Sequence, residues 1–173
     1  MPRVIDDWPK SRLHKSSKVP TLITYDERGS VSAWGFSAES TPAPLTGFKL
    51  LLENWTEHKF YLAYRESKFV RDFKENCPAG KTEDIVASDY LHCLWDYTIT
   101  DIKRDRGQDF MDQFSLRVTL GVPAMWSPTA KERMRGIAIK AGLPSDVTLV
   151  SEPEAAVLAV MEAYDGTLEV RDL

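Results

Sequence analysis

Two residues in this sequence have the type and setting to do chemistry. Glu152 lies in Leu149-Val150-Ser151-Glu152-Pro153-Glu154-Ala155-Ala156, where a short apolar run ends, an acid and a proline follow, and small residues begin a helical pattern. On residue type alone it is a helix-start acid that complements the positive end of the helix dipole. Lys49 lies in Gly47-Phe48-Lys49-Leu50-Leu51-Leu52. It reads as a surface lysine of an amphipathic segment, although the apolar context favours a placed ammonium. Other reactive types are scattered. His14, His58 and His92 are far apart, with no paired metal-ligand spacing. Cys77 and Cys93 form no C-x-x-C pair and no disulfide framework. The nine glycines never occur as a pair or as G-x-G, so there is no phosphate loop and no dinucleotide fingerprint. No G-x-S-x-G elbow is present either.

The elements that must position these residues follow from pattern and punctuation. Thr21–Tyr25 and Ser30–Trp34 read as strands joined by the polar turn Asp26-Glu27-Arg28-Gly29, a β-hairpin. Thr41-Pro42-Ala43-Pro44 breaks the chain, and short helical pieces are expected between Leu45 and Cys77, a span that includes Phe60, Tyr61 and Leu62. Thr82 can cap a helix beginning with Glu83 and Asp84 and running to about Ile102. The charged run Asp101–Asp109 then reads as a solvated loop. Leu116, Val118, Leu120 and Val122 alternate as a strand that Pro123 ends. Ser127-Pro128 pairs an N-cap with a proline at the first helical position. Ala130, Met134, Ile137, Ala138 and Ala141 form one apolar stripe, which Gly142 stops. Val147–Val150 is the next strand. Pro153 starts a helix carrying Ala156, Val157, Val160 and Tyr164 as far as Asp165-Gly166, and Thr167–Val170 begins a further strand. Strand, helix, strand, helix implies two parallel strands and a right-handed crossover. The fold class is α/β, with a hairpin over 19–36 and a strand-helix-strand-helix unit over 115–165.

Bulk composition narrows the function classes. The 173 residues suffice for one domain with a core, and 43% hydrophobic with 28% charged residues is ordinary for a soluble protein. A formal net charge of -4 leaves no basic excess for nucleic acid or an anionic membrane. No apolar run nears the roughly 20 residues that span a bilayer. Met1–Lys10 lacks the apolar region of a secretory signal. The cysteine usage suits a reducing, cytoplasmic setting.

Four segments, in this order, resemble the ATPase domain of the 70-kDa heat-shock protein family, in particular its divergent fungal-type members. Lys18–Tyr25 followed by Trp34-Gly35 is similar to the family's early hairpin, and Gly47–Leu52 to its lysine-bearing segment. Val118-Thr119-Leu120-Gly121-Val122-Pro123-Ala124-Met125-Trp126 is similar to its "I-T-V-P-A-x-F/W" strand and turn. Lys140-Ala141-Gly142-Leu143 followed by Leu149–Ala156 is similar to its "I-x-N-E-P-x-A-A" turn. The last two are specific together, because the spacing across the intervening helix also fits.

The resemblance implies part of the first lobe of an actin-like, ribonuclease-H-like ATPase domain, with residues 1–173 as a single partial domain. It implies ATP and Mg2+ as ligands. Lys49 would orient the γ-phosphate and attacking water, the service an ammonium gives to phosphoryl transfer. Glu152 would sense nucleotide through the water shell of magnesium, a hard cation that takes oxygen ligands. Pro123 and Lys131 match a proline switch and its basic partner; the family usually has arginine there, and the two cations are not interchangeable. The family's two glycine-bearing phosphate loops have no counterpart in this sequence. The expectation is a fragment of a chaperone-like ATP-binding protein, not catalytic alone, whose partners are the complementary lobe or protein clients. The alternative is a non-catalytic interaction module or a truncated gene product without function.

Overall fold

The computed structural model describes residues 3–9, 15–54 and 66–163. His14, His58, the apolar residues Phe60–Leu62, Tyr164, the stop at Asp165-Gly166 and the strand expected at Thr167–Val170 lie outside the described residues.

The hairpin forms from β1 (Ile23–Tyr25) and β2 (Val31–Trp34), antiparallel, with Ile23 opposite Trp34. Its turn is held by one side chain. The Asp26 carboxylate accepts from the backbone N–H of Arg28 at 2.9 Å and of Ser30 at 2.8 Å, the self-bonding that makes aspartate a turn former. The other edge of β1 bridges Leu45 through reciprocal backbone hydrogen bonds. Between Leu45 and Cys77 there are two helical pieces among the described residues: a 3-10 turn over Phe48–Leu52, and α1 (Lys68–Asn76). Gly47 precedes the 3-10 turn with φ +67°, and a Cβ there would stand 2.5 Å from the Phe69 ring. Only glycine lets the backbone pass this close to α1, so Gly47 fixes where the Lys49 segment starts.

The spine is α2 (Glu83–Arg106), 24 residues and about 36 Å long at 1.5 Å per residue. The Thr82 hydroxyl accepts from Ile85 N–H, and Glu83 and Asp84 occupy the first turn, as the sequence indicates. Its end differs. The run read as a solvated loop from Asp101 is helical through Arg106, breaks at Gly107 (φ +84°), and resumes as α3 (Gln108–Gln113). Charge count hid the reason. Asp101 is buried, its side chain 1% exposed, and its carboxylate is paired with Arg104 one turn on and with Arg3 at 2.9 Å. The exposed charges around it line a helix that is anchored from inside.

The parallel unit matches its sequence signals most closely. β3 (Thr119–Val122) pairs in parallel with β4 (Thr148–Ser151), Thr119 opposite Thr148 and Val122 opposite Ser151. The connection is α4 (Pro128–Lys140), capped by the Ser127 hydroxyl, which accepts from Ala130 N–H at 3.1 Å. Its stripe Ala130, Met134, Ile137 and Ala138 is buried; the first three share a core with Ile23, Phe48, Val86, Tyr90 and Trp126, and Ala138 packs in a second cluster with Ala141, Leu143 and Val147. The last helix, α5 (Glu152–Ala163), follows β4 without a break. Ser151 and Glu154 start it as a capping pair: the Ser151 hydroxyl accepts from Glu154 N–H at 3.3 Å. The recurring apolar residues Val157 and Val160 are exposed, as are Leu158 and Met161. The described part of the protein is thus mixed α/β with two small two-stranded sheets.

Candidate functional site

Lys49 and Glu152, 103 positions apart in sequence, meet at the carboxyl end of the parallel strands. Lys49 Nζ donates to Glu152 Oε1 at 2.6 Å. Two local structures bring them there. The 3-10 turn after Gly47 presents Lys49 from one side. The direct passage from β4 into α5 puts Glu152 at the first helical position on the other. β3 supplies the floor: a Cβ on Gly121 would stand 3.7 Å from Glu152 Cγ. Trp126 is buried at 3% exposure, and Lys49 Nζ lies 5.8 Å from its ring centroid. An ammonium over an indole face is held by the ring quadrupole, so the lysine has two attachments.

The pair is open to solvent on one side, with side-chain exposures of 37% for Lys49 and 54% for Glu152. An ion pair so exposed is worth about 0.2–1 kcal/mol. A competing anion can therefore draw Lys49 away, and a competing cation can draw Glu152. Beneath Lys49 lies a cavity of about 150 Å³ lined by Phe48, Leu52, Tyr90, Leu120 and Gly121.

The other expected site residues make no hydrogen bond or ion pair with Lys49 or Glu152. Pro123 is half-buried and its carbonyl accepts from Trp126 N–H at 3.2 Å, closing the turn after β3. Lys131 lies in α4, half-buried, and makes no ion pair among the described residues. Among the described residues no group of three or more His, Cys, Asp or Glu side chains could hold a metal ion. Glu152 is one carboxylate already paired with a cation, which does not fit a directly ligated magnesium.

No family model, no curated protein and no solved structure matches the chain.

Three groups of polar contacts outside the Lys49–Glu152 pair have no local sequence signal. The Glu53 carboxylate accepts from both the backbone N–H of Ser127, at 2.6 Å, and its hydroxyl, at 2.9 Å, so the start of α4 has a cap supplied 74 residues away. Arg133 ties α4 to the carbonyls of Leu51 and Leu52 and to Glu83 and Asp84 of α2. On the hairpin side, Tyr25 Oη and Lys81 Nζ both donate to Asp89 Oδ2, at 2.9 and 2.6 Å, and Lys81 Nζ lies 4.3 Å from the Tyr25 ring centroid. Burial first, and Asp89 second, push the Tyr25 hydroxyl far above its ordinary pKa.

Proposed function

We propose that Lys49 and Glu152 form the nucleotide-facing corner of an actin-like ATPase lobe related to the 70-kDa heat-shock proteins. The observation that carries the reading is their contact at 2.6 Å beyond the ends of β3 and β4. In open α/β sheets ligands bind in the crevice outside the carboxyl ends of parallel strands. In this reading Lys49 exchanges Glu152 for a terminal phosphate, and the released carboxylate faces the water shell of magnesium carried in by the nucleotide. Pro123 and Lys131 belong to the same proposal as the switch at the end of β3.

The chain alone is not proposed to turn over ATP. Holding phosphates requires backbone N–H groups presented by glycine turns, and the sequence has none of that pattern. Those walls come from other polypeptide, the complementary lobe, in the cytoplasm, where the free thiols Cys77 and Cys93 stay reduced. No helix among the described residues is long and apolar enough to cross a membrane. The test is a nuclear magnetic resonance titration with ATP–magnesium that follows the Lys49 and Glu152 side chains, run beside a phosphate-release assay. Perturbation of both side chains without turnover supports the reading. Undisturbed side chains overturn it.

A second reading is favoured by α5, whose exposed Val157, Leu158, Val160 and Met161 suit a non-catalytic interaction module. Sedimentation of the wild-type chain against Leu158→Lys separates the two readings. Association that the substitution abolishes supports the module, and a monomer in both cases removes it.

A further inference from the structure

A second cleft, away from Lys49 and Glu152, lies between the end of β2 and one face of α2. It measures about 460 Å³ and is lined by Trp34 from β2, by His92, Asp96, Tyr97 and Thr100 from α2, and by Pro9. Trp34 and Tyr97 are inclined at 63° with centroids 6.2 Å apart, so they form two walls of a corner. Tyr97 also packs against Trp8 at 5.4 Å, and Trp34 against Tyr90 at 6.2 Å. The Tyr97 hydroxyl donates to the carbonyl of Asp7, which holds its ring in place. Asp96 is exposed, and no ion pair neutralises its carboxylate among the described residues. Among the described residues no lysine or arginine lines the cleft. His92 Nδ1 donates to the carbonyl of Ala141 at 3.0 Å.

Two electron-rich rings and an exposed carboxylate, with no lysine or arginine among the described lining residues, point to one chemistry of ligand. We propose that this cleft binds an alkylammonium group, free or on a methylated lysine side chain. Aromatic faces attract such a cation through the ring quadrupole, and its weak hydration lets it leave water for an aromatic corner. The carboxylate supplies the countercharge. A metal ion does not suit the site, because aromatic walls with one carboxylate do not provide an oxygen-ligand shell.

The test is a resonance titration of the full chain that follows the Trp34 indole. Choline is compared with its neutral tert-butyl isostere, and a peptide bearing trimethyl-lysine with its unmodified form. Wild type should bind choline at least about fivefold more tightly than the neutral isostere, and Asp96→Asn should lose about that factor. Asp96 is exposed, so its substitution leaves the fold intact; Tyr97→Leu, checked by circular dichroism, should abolish binding. Preference for the peptide over choline assigns the ligand to a modified side chain, and the reverse to a small molecule. Equal binding of the neutral isostere, binding unchanged in Asp96→Asn, or no shift of the Trp34 indole with any cation overturns the proposal.

Discussion

Arg133 Nη2 stands 2.6 Å from Glu83 Oε1, and Arg133 Nε the same distance from Asp84 Oδ1, so one guanidinium joins the middle of α4 to the first turn of α2. The same side chain donates to the carbonyls of Leu51 and Leu52 at the end of the 3-10 turn that carries Lys49. Burial by itself would depress the guanidinium; Glu83 and Asp84 outweigh it and hold it above its ordinary pKa.

Arg133→Ala should therefore loosen three elements at once, at a cost of about 1.5–3 kcal/mol, the range for hydrogen bonds that involve charged groups. Arg133→Lys should recover only part of this, because a point charge cannot span two carboxylates and two carbonyls together. Urea unfolding of the three proteins checks the order. Equal stability of wild type and Arg133→Ala would show that the clamp carries nothing.

The double cap on α4 makes a second prediction. Ser127→Ala removes the helix cap and should cost about 1 kcal/mol. It also removes one of the two donors to Glu53. Glu53→Gln should cost less alone, and the two substitutions together should couple by at least about 0.5 kcal/mol, as expected for residues in contact. Additive effects in a double-mutant cycle would contradict the contact.

These two cases mark what could be read in the sequence. The start and stop of α4, its buried stripe and the parallel pairing of β3 with β4 rest on signals within a few residues, such as Ser127-Pro128 and Ala130-x3-Met134. Glu53 and Arg133 are silent because their partners are 74 and 49 or more positions away, and no local pattern encodes that. The run from Asp101 is helical rather than a loop for a related reason. Its charges look solvated until Arg3, at the far end of the chain, is seen against the buried Asp101 carboxylate. Lys49 and Glu152 stood out as residues, but the sequence did not show that they touch each other.

Alkaline pH gives a third prediction. Burial pushes the thiols of Cys77 and Cys93 and the hydroxyls of Tyr25 and Tyr90 above their ordinary values of 9.0 and 10.0. Each group therefore keeps its proton in the folded chain at a pH where the unfolded chain has released it. The stability this contributes is complete below pH 9.0 and is lost as pH rises through the folded values. Urea midpoints should be level up to about pH 8.5 and fall steadily above it. Tyr25→Phe and Cys93→Ser should each flatten the fall. A midpoint that rises with pH in this range would reverse the assignment.

The central claim is that Lys49 and Glu152 face a nucleotide, and resonance of those two side chains during an ATP–magnesium titration tests it most directly. With one ammonium and no phosphate loop, binding should be weak, about 1 mM or weaker, equivalent to about -4 kcal/mol or less. The Lys49 ammonium and Glu152 carboxyl signals should move together, added salt should reverse the change, Lys49→Ala should remove the Glu152 response, and no phosphate should be released. If both signals stay fixed while ATP–magnesium is raised well past that concentration, or move unchanged in Lys49→Ala, the corner does not face a nucleotide.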